Sequence, residues 1–120
     1  MSRVAVVEGA FIGNRAPDFA LRDGRGAEWR LSDNRGRVVV LFFYPGDETM
    51  TCTRQMCVIR ERWREFEKTG AAVVGISMDT EESHRSFGEN HKLPLRLLSD
   101  TEGRVVELYG VRSWVPGWNL

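Results

Sequence analysis

The sequence predicts a single α/β domain built on a central sheet, and two observations carry that reading. The runs VVVLFFY (residues 38–44) and AAVVGIS (residues 71–77) are almost wholly apolar and too short for typical helices. Unbroken runs of this kind mark strands covered on both faces, and such strands are usually parallel. The segments that follow them carry helical signals, so the order reads β-α-β-α-β-α, the pattern of an α/β layer.

The elements follow in chain order. APDFALRDGRGAEWRLSD reads as two short strands around residues 23–26, a cluster of turn-forming types. The 38–44 strand is ended by Pro45. Residues 52–68 form a helix, because Met56, Ile59, Trp63 and Phe66 follow +3, +4, +3 spacing and make one apolar stripe. Thr49 and Thr51 are its candidate caps, and Gly70 is a stop signal. After the 71–77 strand, TEESHRSFGENH (residues 80–91) begins with a capping residue and two glutamates, as a helix N-terminus prefers. LPLRLLSD (residues 93–100) is a third strand, and TEGRVVELYG a short helix.

Composition narrows the function. One hundred and twenty residues suit one domain, spanning residues 1–120, and a chain of this size buries enough surface to need no disulfide. Seventeen basic and seventeen acidic residues cancel. Nucleic acid and anionic membrane both need a local basic excess, so neither is an expected partner. The run RERWREFEK mixes both signs and reads as a solvated helix face. Glu8 interrupts the first apolar stretch, so no secretory signal is expected, and no run approaches the ~20 apolar residues of a membrane span. A cytoplasmic setting follows as the expectation. Thiols stay reduced there, and a close cysteine pair points to catalysis or metal binding.

The only two cysteines, Cys52 and Cys57, stand just past the 38–44 strand. In α/β sheets, active groups lie beyond the carboxyl ends of strands. Cys52 at a helix start is near free backbone N–H groups and the positive end of the helix dipole, both of which favour thiolate, the nucleophilic form. Five residues along an ideal helix put the two Cα atoms ~8.6 Å apart, beyond the ~6.8 Å that disulfides seldom exceed. The two thiols therefore bond only if that turn unwinds. Two buried, inert cysteines in an amphipathic helix fit the spacing as well. A zinc site would recruit His84 and His91, but H-x6-H lies outside the usual ligand pattern. His84, Phe87 and His91 share one helix face, which favours two histidines flanking a packed phenylalanine.

Pro45, Thr49 and Cys52 spell P-x-x-x-T-x-x-C, which resembles the active-site motif of the peroxiredoxins; Cys57, five residues on, resembles their Q-type (bacterioferritin comigratory protein) subgroup. APDFAL, LSDNRGRVVVLFFYPGD, CTRQMCVIRERWREF, GISMDTEESHRSF, LPLRLLSD and YGV follow in the family's order over about residues 16–111. The resemblance implies a thioredoxin-like fold: a central mixed sheet flanked by helices and preceded by an N-terminal β-hairpin. It implies reduction of hydrogen peroxide or an organic hydroperoxide, with no metal or organic cofactor. Cys52 would be the peroxidatic thiolate that becomes a sulfenic acid. Cys57 would resolve it to a disulfide, which thioredoxin or a similar dithiol reductant would reset. Thr49 would orient thiolate and peroxide, and Pro45 would shield the thiolate from water. The family is often monomeric.

The sequence departs from that family in three places. Met50-Thr51 stand where Q-type members usually have Pro-Gly. Gln55 stands where a glutamate usually orients an arginine. The chain also ends where the family continues with a strand that carries that arginine, then further strands and a helix, so the C-terminal third is expected to be missing. Arg112 lies near the right place, but RSWVPG does not match and Pro116 argues against a central strand; Arg54 is the candidate substitute. An open sheet edge would then favour self-association. Two other functions accompany the peroxidase: a thiol–disulfide redox protein or sensor, and an inactive thioredoxin-like fragment.

Overall fold

In the computed structural model, residues 13–111 are described. Asp23 sets the first turn. Its Oδ1 accepts the N–H groups of Arg25 and Ala27 at 2.9 and 3.0 Å, an Asx-type turn. Gly26 follows at φ +81°, where a side chain would be strained. The turn pairs β1 (Ala20–Asp23) antiparallel with β2 (Glu28–Arg30), the expected hairpin. A 3-10 turn, Leu31–Asn34, precedes β3 (Val39–Phe43). The chain continues through α1 (Met50–Glu61), α2 (Trp63–Lys68), β4 (Ala72–Ser77), α3 (Glu81–His91), β5 (Arg96–Ser99) and α4 (Arg104–Tyr109).

The strands form one mixed sheet in the order β2-β1-β5-β4-β3. β3, β4 and β5 run parallel, and β1 joins β5 antiparallel. The hairpin thus extends the sheet itself. This is the thioredoxin-like arrangement that the sequence implied.

Strand alternation sorts the apolar side chains between two faces. On one face, Cys52 and Met56 of α1 and Phe87 of α3 pack with Tyr44, Val73, Leu95 and Leu97. On the other, Val105, Val106 and Tyr109 of α4 pack with Phe19, Trp29, Val74, Ile76 and Leu98. In β3, Val40 and Phe42 join the first cluster, and Val39, Leu41 and Phe43 the second. Its continuous apolar run does serve two cores. Yet every residue of β3 is only half-buried, because among the described residues it forms a sheet edge. Full burial on both faces belongs to β4, between two parallel neighbours.

The predicted 52–68 helix is corrected in two respects. It starts at Met50, and it breaks at Arg62, whose φ of −103° and ψ of 16° leave the helical region. The apolar stripe survives the break: Ile59, Trp63 and Phe66 all pack on the first cluster. Gly70 ends the segment at φ +73°, as expected.

α1 lies close on the sheet because position 75 has no side chain. A Cβ built on Gly75 would stand 3.0 Å from Leu97 Cδ2 and 3.2 Å from both Met56 Cε and Tyr44 Cε1. Met56 is one turn beyond Cys52, so this contact sets the height of Cys52 above the sheet. Gly75→Ala is expected to destabilise the fold by ~1–3 kcal/mol through overpacking. Urea unfolding at constant m-value checks this; wild-type stability would show that α1 can lift off freely.

Candidate active site

The chain leaves β3 at Phe43 and crosses the carboxyl ends of the parallel strands as residues 44–49. Tyr44 anchors this loop from below. It is buried, its ring lies 6.3 Å from those of Phe42 and Phe87, and its hydroxyl donates to Asp47 Oδ1 at 2.6 Å. Burial, reinforced by the Asp47 carboxylate, holds the Tyr44 phenol well above its ordinary range. It therefore serves as a neutral donor.

Asp47 gathers a buried polar network. Its Oδ2 accepts Ser83 Oγ–H at 2.7 Å and lies 2.8 Å from His84 Nδ1, while its own N–H donates to Asp79 Oδ2 at 2.7 Å. Ser77 Oγ donates to the same Asp79 oxygen at 2.8 Å. His84 Nε2 lies 3.0 Å from the Leu98 carbonyl oxygen. A carbonyl only accepts, so the ring makes both bonds at once, to Leu98 and to the ionised Asp47, when both nitrogens carry protons. Burial works against the Asp47 charge, but hydrogen bonds from His84, Tyr44 and Ser83 prevail and hold its carboxyl below the usual range.

Asp47, Asp79 and His84 place one possible ligand atom each within 4.8 Å of one another. Both His84 nitrogens and the Asp79 Oδ2 are already hydrogen-bonded to protein groups, so a cation here would have to displace several bonds. Cys52 and Cys57 join no such group among the described residues.

Glu48 comes next, at φ +62°, a left-handed conformation uncommon for a residue with a side chain. Its carboxylate meets His91 Nε2 at 2.8 Å and accepts Asn90 Nδ2–H at 3.0 Å. The His91 and Asn90 hydrogen bonds hold the Glu48 carboxyl below its ordinary value.

Of the two candidate caps, Thr49 is the N-cap of α1, and Thr51 lies inside the helix. The Thr49 hydroxyl donates to the Gly46 carbonyl at 3.2 Å and accepts the Cys52 N–H at 3.4 Å. Cys52 is thus the third residue of the helix. Only 2% of it is exposed, and it packs against the cluster of Tyr44, Met56 and Phe87. Cys57 is half-buried further along the same unbroken helix, and both thiols are free. Pro45 is half-buried between Tyr44 and Gly46.

The structure therefore brings Thr49 to Cys52 and leaves Cys57 apart, ~8.6 Å away between Cα atoms by helix geometry. Arg54 is exposed and lies two residues past Cys52, ~200° around the helix axis, which points it away from the thiol's buried side. Gln55 is exposed as well. Arg112 and Pro116 lie outside the described residues.

The histidine reading holds. His84 and Phe87 are buried, and the Phe87 and His91 rings meet edge to face at 5.2 Å. What the sequence reading missed is that both histidines face consecutive acids, Asp47 and Glu48, in the loop before Cys52. The sequence shows two adjacent carboxylates next to the motif and two histidines on one helix face, but nothing local that matches one set to the other.

Residues 12–116 match the AhpC/TSA family. A chloroplastic peroxiredoxin Q of Sedum lineare is 46% identical over 101 residues, which cover 84% of this chain and 54% of that protein. The crystal structure of the peroxidoxin BcpB of Mycobacterium tuberculosis superposes with a TM-score of 0.78 at 38% identity, covering 82% of this chain and 64% of that one. A bacterioferritin comigratory protein of Xanthomonas campestris, studied for alkyl peroxide reduction through trapped intermediate and ligand complexes, gives 0.75 at 28% identity over 78% of this chain and 59% of its own. The chain spans about half the length of the curated relatives it matches first. With that motif, fold and match, the chain belongs to the AhpC/TSA family, and the relatives it resembles are peroxiredoxins of the Q type.

Proposed function

We propose that the chain reduces hydroperoxides through Cys52. The Cys52 thiolate attacks one peroxide oxygen, the O–O bond breaks, and the departing alkoxide or hydroxide takes a proton; Cys52 is left as a sulfenic acid. The Cys57 thiol then displaces water from that sulfenic acid and closes an intramolecular disulfide. A dithiol reductant of the thioredoxin kind reduces the disulfide by exchange and is itself oxidised. Thr49, whose hydroxyl already sits between the Gly46 carbonyl and the Cys52 amide, orients thiolate and peroxide. Pro45 keeps water from the thiolate.

The observation that carries this reading is Cys52 in the first turn of α1 under its Thr49 cap, in a chain of this family. The alkyl peroxide chemistry studied in the Xanthomonas relative supports the substrate class. No helix of the described residues is long and apolar enough to cross a membrane. A reducing compartment such as the cytoplasm suits a disulfide that must be reset. Self-association through the β3 edge, beside the exposed Val38, belongs to the same proposal.

A second reading, a thiol–disulfide redox protein or sensor with slow peroxide turnover, draws on the outward placement of Arg54 and the burial of Cys52. The rate of thiol loss with peroxide separates the two readings. Absence of any peroxide-dependent loss leaves the inactive thioredoxin-like fragment.

With one equivalent of peroxide, Cys57→Ser is expected to accumulate a trappable sulfenic acid and Cys52→Ser none. Reversed labelling would exchange the two roles.

Disulfide closure is expected to melt the first one or two turns of α1. Amide exchange over residues 52–59 should speed up in the oxidised protein while that of β4 stays slow. Unchanged protection in a verified disulfide form would mean that the thiols meet by another movement.

A further inference from the structure

His84 and His91 are seven residues apart on α3, so they project from nearly the same face, two turns apart. They hold consecutive loop residues, Asp47 and Glu48. The two pairs differ in kind. The His84 and Asp47 side chains are 0% and 2% exposed, whereas those of His91 and Glu48 are 26% and 49% exposed. The first is a fixed strut and the second is open to solvent.

His91 also reaches the far end of α1. Its backbone carbonyl accepts Arg60 Nη1–H at 2.6 Å. A single residue of α3 therefore holds the chain on both sides of the two thiols: at Glu48, in the loop two residues before α1, and at Arg60 in the last turn of α1. Cys52 and Cys57 lie between these attachments. The described residues other than glycine with positive φ, Glu48 and Lys92, both border the contact, one on the loop and the other just after His91.

We infer that the Glu48–His91 pair is a clasp that positions Cys52, making His91 a positioning residue for the thiol chemistry. The clasp fixes the reversed backbone at Glu48, which delivers Thr49 to its capping position, which in turn holds the first turn of α1 and keeps Cys52 packed. Release of the clasp frees that turn, while Met56 on the sheet and Arg60 on the His91 carbonyl retain the rest of the helix. The Asn90–Glu48 hydrogen bond, 3.0 Å long, reinforces the same carboxylate from the neighbouring position. This assignment rests on Cys52 as the reacting thiol.

The test is alkylation of reduced protein by a bulky maleimide, with Cys52 and Cys57 quantified separately by mass spectrometry. His91→Leu keeps an apolar side chain against Phe87 but loses the donor; Glu48→Ala loses the acceptor. Each is expected to raise the Cys52 rate by about threefold to fivefold, the scale of one net hydrogen bond, and to leave the Cys57 rate unchanged. His91→Gln, which keeps an N–H donor, should restore the wild-type rate. The double variant should alkylate no faster than Glu48→Ala alone, because that variant already removes the His91 contact. An unchanged Cys52 rate, independent additive effects, or an equal rise at both cysteines would overturn the inference. Peroxide takes no part in this assay. Failure of the wild-type chain to consume peroxide would therefore remove the proposed reaction and leave the clasp to be judged by alkylation.

Discussion

The site depends on the buried contact between Asp47 and His84. Withdrawing an acid and a base from water is expensive, and it is tolerated only where the remaining polar atoms find partners. Here they do. Tyr44 and Ser83 donate to the Asp47 oxygens, and the Leu98 carbonyl faces the second His84 nitrogen. Such a contact adds little net stability over a well-packed apolar one, but loss of a single partner leaves the other buried without its hydrogen bond, at a cost of about 1–3 kcal/mol. Its effect is to fix geometry. The loop after β3 is tied to α3 through His84, to the end of β4 through Asp79 and Ser77, and through the His84 ring to β5. Three elements that carry no candidate reacting group thus define where the loop before Cys52 runs.

The opposite constraint comes from packing. α1 must approach the sheet closely enough to seat Cys52 and Met56 on the aromatic cluster, and Gly75 leaves that room. The Tyr44 ring takes part in both constraints: it bounds the space above Gly75, and its hydroxyl feeds the Asp47 network. Polar and apolar restraints therefore converge on one side chain directly beneath the loop. This explains how a thiol in a first turn, where helices usually fray, is held at 2% exposure.

Most of this fold is legible in the sequence because its signals are local. The Asp23 turn, the Thr49 and Thr80 caps and the Met56–Ile59–Trp63–Phe66 stripe are set by neighbours within a few residues, and all of them appear in the structure. Two features were not legible. The break at Arg62 leaves the apolar spacing almost undisturbed, so periodicity alone reads one helix where there are two. The half-burial of β3 depends on which strand lies outside it, and no run of seven apolar residues carries that information. In the site, the motif gave Pro45, Thr49, Cys52 and Cys57. The histidine–acid pairs lay beyond reach because Asp47 and His84 are 37 residues apart in sequence and become neighbours only through the β4–α3 connection. An aspartate and a histidine have too many ordinary surface roles to be matched at that distance.

The geometry also bears on how the same helix can hold one thiol and release it to another. Burial of Cys52 favours an intact first turn; a bond to Cys57 requires that turn to open. The restraints on α1 are graded to allow both. Its first turn rests on the Thr49 cap, a hydrogen bond of 3.4 Å, and on the Glu48–His91 contact, with Met50 at its first position 76% exposed, so opening the start disturbs no buried packing but that of Cys52. Met56, fully buried over Gly75, and Arg60, bonded to the His91 carbonyl, hold the later turns. Cys57 follows Met56 directly and so sits at the boundary between the part that can open and the part that stays. An unwound segment of five residues spans far more than the distance a disulfide needs, since each extended residue adds ~3.3–3.6 Å of reach. Chain length thus poses no obstacle to closure. The barrier lies in detaching the Cys52 side chain from the cluster of Tyr44, Met56 and Phe87, which makes the packing around the reacting thiol, more than the helix itself, the element that keeps the reduced state closed.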